Sequence, residues 1–99
     1  MVKHIVMWSF KEEIPMEERE EDKARIKEGL EGLVGIVPGL LSAHVVTELI
    51  GSSTHDFCLI TEFDTPEALV AYKDNPDHVK VATFVRSVTC NRAVLDYVE

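Results

Sequence analysis

The chain has 99 residues, 45% of them apolar, and 18 acidic against 10 basic side chains give a formal charge of −8. That length supports one modest core and excludes a second domain, so residues 1–99 are expected to form a single unit. The acidic balance, with no compensating lysine or arginine run, argues against nucleic acid, and no apolar run approaches the roughly 18 residues of a membrane span.

Val2 to Phe10 alternates, with Val2, His4, Val6, Trp8 and Phe10 on one side and Lys3, Ile5, Met7 and Ser9 on the other. Both sides carry apolar groups, the pattern of a strand covered on two faces. No charged leader, apolar stretch and small-residue cleavage site precede it in the order of a signal peptide, so a cytoplasmic protein is expected. The acidic stretch Glu12 to Asp22 reads as a solvated helix surface. After Pro15, Ile26, Leu30, Leu33 and Val34 form a helical stripe, which Gly35 and the Pro38-Gly39 pair should end. A second strand is expected over roughly Leu41 to Ile50, a turn over Gly51 to His55, and a third strand over Asp56 to Phe63, the two strands forming a hairpin. Thr65-Pro66-Glu67 opens a short helix running to about Lys73. Asn75-Pro76-Asp77 repeats that signal, starting a second helical piece to about Val85 with Val81, Ala82 and Val85 inward. Ser87 to Tyr97 reads as the last strand.

The order βαββαβ is that of an α+β, ferredoxin-like fold, with a four-stranded antiparallel-type sheet covered by helices on one face. The other face would carry Ile5, Met7, Cys58 and Ile60 and needs a cover, which a second copy supplies through a two-fold contact. Cys58 and Cys90 lack the spacing of a zinc or redox motif and read as buried thiols. In a 4-1-3-2 sheet they flank the first strand, about 9 to 10 Å apart and too far for a disulfide.

The four histidines form no close pair of the HxH or HExxH kind, so no metal site is expected. His44 should decorate the second strand and His55 should be a solvated turn residue. His4 and His78 are candidates for one pocket, because His4 lies on the helix-covered face and His78 in the first turn after Pro76. A helix N-terminus disfavours imidazolium, keeping His78 neutral as a general base requires, and Tyr72 could donate a hydrogen bond into the same space. Trp8 and Phe10 are candidates to line an aromatic pocket, a use compatible with ordinary core packing.

A set of short motifs resembles the stress-responsive A/B barrel (Dabb) family across the whole chain. It comprises Val2-Lys3-His4-Ile5-Val6, Val37-Pro38-Gly39-Leu40, Glu62-Phe63-Asp64-Thr65, Ala68-Leu69 with Tyr72, Asn75-Pro76-Asp77-His78, and finally Arg92 with Asp96-Tyr97. The resemblance implies a homodimer in which two sheets face one another as a dimeric α+β barrel. Plant polyketide cyclases of this family close a ring without a cofactor by acid-base chemistry. The motif carries that catalytic role onto Tyr72 and His78 and makes His4 a pocket residue. Leu30 and Phe57 stand where the cyclase pocket has further tyrosine and histidine groups, implying a greasier binding cavity. The expected function is binding or transforming a small hydrophobic organic molecule; the alternative is a stress-associated structural protein whose assembly is itself the functional entity. A cofactor-independent monooxygenase follows from the barrel architecture only by analogy.

Overall fold

Alternation in the first ten residues builds the central strand of the molecule. In the computed structural model, which describes residues 1–99, β1 (Val2–Phe10) buries Val2, His4, Val6, Trp8 and Phe10 under the helices and turns Lys3, Ile5, Met7 and Ser9 the other way. The remaining elements are α1 (Met16–Glu31), β2 (Leu40–Val46), β3 (Phe57–Phe63), α2 (Pro66–Asp74), α3 (Pro76–Val88) and β4 (Thr89–Val98). The four strands form one antiparallel sheet in the order β2-β3-β1-β4, the ferredoxin-like arrangement expected from the element order. Helices cover one face, and the core runs from Ile26, Leu30 and Leu33 through Phe57, Leu59 and Phe63 to Leu69, Tyr72 and Val85.

Several boundaries differ from the sequence expectation for identifiable reasons. Helix α1 ends at Glu31 with Gly32 as its C-cap, so Leu33 still reaches the core while Val34 turns to solvent. Strand β2 stops at Val46 instead of Ile50, its last pairing being with Cys58. The Asp56 amide donates to the Trp8 carbonyl and the Asp56 carboxylate accepts from the Phe10 amide at 2.8 Å, tying the approach to β3 onto β1. Helix α3 runs to Val88, three residues beyond the expected end, and β4 starts correspondingly later.

The two short helices begin as their sequences direct. The Thr65 hydroxyl accepts from the Ala68 amide with Pro66 in the first turn, and the Asn75 side chain accepts from the Asp77 amide with Pro76 following. Asn75 is extended, so it ends α2 and starts α3 at one residue. Two glycines permit close approaches here. Gly29 lets α1 meet α3, since a Cβ there would lie 2.9 Å from Val81 Cγ1. Gly39 takes φ +80° and faces Ala68, whose Cβ would be 2.5 Å from an added one.

No helix covers the opposite sheet face. By register, Ile5 pairs with Ile60 and Leu95, Met7 with Cys58 and Ala93, and Lys3 with Glu62 and Tyr97. The centre of that face is apolar, with Met7, Ile60, Leu95 and Tyr97 each more than a third exposed. At its rim Lys3 pairs with Glu62, which also accepts from the Ser42 hydroxyl. Cys58 and Cys90 lie on the strands that flank β1, and both thiols are free.

Candidate functional site

The helix side of the sheet is not completely filled. A cavity of about 430 Å³ lies between the sheet and the helices, with Val6, Trp8, Leu30, Leu59, Ala82 and Val85 as apolar lining. His4, Tyr72 and His78 line the same space. Alternation in β1 places His4. Tyr72 follows Leu69 on the buried stripe of α2, and the cap at Asn75 starts α3 so that His78 falls in its first turn. The Tyr72 and His78 rings lie with centroids 3.9 Å apart at a 32° tilt, and His4 meets Tyr72 edge-on at 6.2 Å.

Burial lowers the pKa of both imidazoles. For His78 the carbonyls of Lys73 and Tyr72 partly oppose that effect, while His4 and Arg92 reinforce it, yet Nδ1 is buried without a hydrogen bond of good geometry. His78 therefore favours the neutral form in the expected direction, but through burial and not chiefly through the helix end. The Tyr72 hydroxyl is pushed up to about 12 by burial, with no hydrogen bond offsetting it. It is a donor rather than a phenolate at neutral pH.

His4 has a partner that the sequence marks only as part of a family motif, with no place in the pocket. Asp96 stands directly across the β1–β4 ladder from it, and His4 Nδ1 lies 2.5 Å from Asp96 Oδ1. Burial lowers the His4 pKa, the Asp96 hydrogen bond and charge raise it, and Arg92 and Lys73 lower it again. With Nδ1–H donating to the carboxylate, Nε2 keeps its lone pair, and a proton gained there would be stabilised by Asp96.

The mouth of the cavity is shaped by an irregularity in β4. Between the pairs Met7–Ala93 and Ser9–Cys90 the strand carries one extra residue, and Asn91 there takes φ 52°. His55 Nε2 donates to the Asn91 carbonyl at 3.0 Å while its Nδ1 lies 2.9 Å from the Thr54 hydroxyl. His55 is thus half-buried and braces the bulge, which corrects the reading of it as a solvated turn residue. Beyond the bulge Arg92 alternates with Val94 and Asp96, so it sits on the helix side of the sheet. Arg92, Arg86 and Lys73 all border the cavity, and nothing in the periodicity of their separate elements marked them as neighbours.

Of the pocket residues read from the sequence, His4, Trp8, Leu30, Tyr72 and His78 come together. Phe57 does not. It is fully buried, stacked against Trp8 at 5.1 Å, and supports the cavity wall from behind instead of lining it. Phe10 likewise packs on Phe57 at 5.2 Å. Cys90, expected in the core, is half-buried at the cavity with its thiol 3.6 Å from the Phe10 carbonyl. His44 lies on the outer sheet face, 3.4 Å from Glu31. No group of three or more His, Cys, Asp or Glu side chains is gathered so as to hold a metal ion, and no helix is long and apolar enough to cross a membrane.

No curated protein matches the chain. Among solved structures, a dimeric ferredoxin-like protein of unknown function from Bacteroides fragilis superposes with a TM-score of 0.89 at 27% identity, covering 97% of this chain and 93% of its own. A protein from Arabidopsis thaliana gives a TM-score of 0.79 at 24% identity over 100% and 95% of the two chains. A hydroxynitrile lyase from Passiflora edulis shares the fold alone, with a TM-score of 0.75 at 16% identity over 99% and 92%. Residues 2–99 match the Stress responsive A/B Barrel Domain, and with the motifs in their expected order on a ferredoxin-like sheet, the chain belongs to the Dabb family.

Proposed function

We propose that this protein is a homodimer whose cavity binds a small organic molecule and promotes proton transfer on it without a dedicated cofactor. The observation that carries this reading is the convergence of His4, Tyr72 and His78 on one cavity of about 430 Å³, within the range of ordinary small-molecule sites. Tyr72 serves as hydrogen-bond donor to the reacting oxygen. His78 and His4 are the bases, each favouring the neutral form that a base requires. His4 is the better built for accepting a proton, because Asp96 orients it and offsets the charge it gains, whereas the buried Nδ1 of His78 has no such partner. The Passiflora edulis enzyme supports the idea that this architecture accommodates chemistry, without lending its substrate. The dimeric Bacteroides fragilis neighbour supports self-association through the uncovered sheet face.

The competing reading is a noncatalytic stress-associated assembly, which calls for a cavity filled by side chains; an open, partly polar space counts against it. The test begins with native mass spectrometry of freshly purified protein, reading subunit number and any retained small molecule. With the bound compound as substrate, Tyr72→Phe, His78→Ala and His4→Gln should each keep the fold while lowering turnover, the loss of a base costing around 10² to 10⁴-fold. Full turnover in both histidine variants would refute the acid-base assignment.

A further inference from the structure

Ten cationic side chains serve a chain that carries eighteen acidic ones, so each has abundant partners. Half are engaged. Lys3 pairs with Glu62, Lys23 with Glu20 and Lys27 with Glu31; Arg19 is bonded to the Ile14 and Lys11 carbonyls, and Arg25 lies over the Phe84 ring at 3.6 Å. Of the other five, Lys11 and Lys80 stand apart, while Lys73, Arg86 and Arg92 are gathered in one place. They come from the end of α2, the last turn of α3 and the bulged start of β4, they border the same cavity, and none makes a salt bridge.

Three like charges around one opening repel one another, and they also disfavour protonation of the imidazoles behind them. Arg92 lowers the pKa of both His4 and His78, and Lys73 that of His4. The arrangement puts a local excess of positive charge on a strongly acidic molecule where apolar walls lead inward, the cavity lining holding no carboxylate. A guanidinium presents a planar fork of donors suited to a carboxylate, and Trp8, Leu30, Leu59 and Val85 offer an apolar lining for the rest of a ligand.

We infer that the cavity takes an organic acid, its apolar body lying against Trp8 and Leu30 and its carboxylate held by Arg86 and Arg92 with Lys73 alongside. This deepens the proposed function and rests on it, since it names the substrate class of the same cavity. The bound anion would neutralise the three cations and so ease the arrival of a proton on His4. Substrate charge and base strength are thereby coupled.

Trp8 is the only tryptophan and borders the cavity, so its fluorescence reports occupancy directly. Octanoate is the anionic probe and 1-octanol its neutral counterpart with the same chain. Both are titrated into the wild-type protein and into Arg86→Gln, Arg92→Gln and the double variant. Octanoate is expected to saturate the signal at least about 10-fold more tightly than octanol, and to weaken as salt is added. Each single arginine variant should lose roughly 3- to 10-fold for octanoate, the exposed setting limiting the effect, and none for octanol. Equal binding of the two probes, or octanoate binding that survives both arginine changes, overturns the inference while leaving a small-molecule cavity in place. Failure of both probes to saturate the Trp8 signal overturns the inference together with the binding reading on which it rests. Thermal melts of each variant establish that any loss is not unfolding.

Discussion

Changing Asp96 to asparagine keeps the shape of the group opposite His4 but removes its charge, which isolates the effect of that carboxylate on the His4 imidazole. The Asp96 carboxylate is 36% exposed while the His4 side chain is almost wholly buried. A hydrogen bond to a charged group contributes about 1.5–3 kcal/mol, and solvent screening at the exposed carboxylate reduces that to about 1 kcal/mol. For a domain of this size a loss of that order lowers Tm by about 4–8 °C. The pH dependence has a definite sign. Burial dominates at His4 and holds its folded pKa below the ordinary value of 6.5, so the unfolded chain takes up the proton more readily. His4 therefore adds no pH dependence well above pH 6.5, and it destabilises the fold progressively as pH falls below 6.5 toward its lowered folded pKa. Asp96 opposes the lowering, so Asp96→Asn should drive the folded pKa down further and widen the stability gap in acid. Thermal melts at pH 8 and pH 5, with an NMR titration of the histidine Cε1 protons assigned through His4→Gln, measure both effects. A gap between variant and wild type that is the same at both pH values, or a His4 pKa unmoved or raised in the variant, would show that the carboxylate does not tune this imidazole.

The uncovered sheet face gives a second expectation: the wild-type protein should scatter light as a dimer at micromolar concentration, and Ile5→Asp with Ile60→Asp should convert it to a folded monomer by burying an unpaired charge in the two-fold contact. A wild-type protein that is monomeric across a broad dilution series would refute the sheet-to-sheet arrangement. Gly39→Ala should be costly for its size, because φ is +80° and the new methyl would lie 2.5 Å from Ala68 Cβ and 2.7 Å from the Asp64 carboxylate. A loss of about 1–3 kcal/mol in urea denaturation is expected, and a neutral result would mean that the loop before β2 relaxes freely.

The sequence carries the elements well and the site only in part, and the division has a physical origin. Alternation over Val2 to Phe10 identifies the buried face of β1 because a two-residue period survives without knowledge of any neighbour. Thr65-Pro66 and Asn75-Pro76 mark two helix starts because capping is local chemistry. Phe57 shows the limit of such reasoning: alternation correctly puts it under the helices, but whether it borders the cavity or backs Trp8 depends on depth, which no period encodes. Val34 fails for a related reason, since the helical stripe continues past Gly32 in the letters but not in the backbone.

Asp96 and Arg92 are legible as motif residues, but their place in the site is created only by register. Asp96 meets His4 because β4 runs antiparallel to β1 with His4 opposite Asp96, and 92 residues separate them along the chain. Arg92 reaches the helix side beyond a one-residue bulge whose carbonyl is held by His55 from another loop. If the bulge were removed while the β1–β4 register above it stayed fixed, the segment from Cys90 back to α3 would slip by one position against Ser9 and Phe10. In a strand, such a slip exchanges the two faces. Arg92 keeps its face by alternation with Val94 and Asp96, so the effect of the bulge falls on the chain before it and sets how the end of α3, with Arg86, meets the His4–Asp96 side of the cavity. A chain that kept every helix and strand but lost this one irregularity would keep Arg92 beside Asp96 and displace Cys90, Thr89 and the end of α3 that carries Arg86.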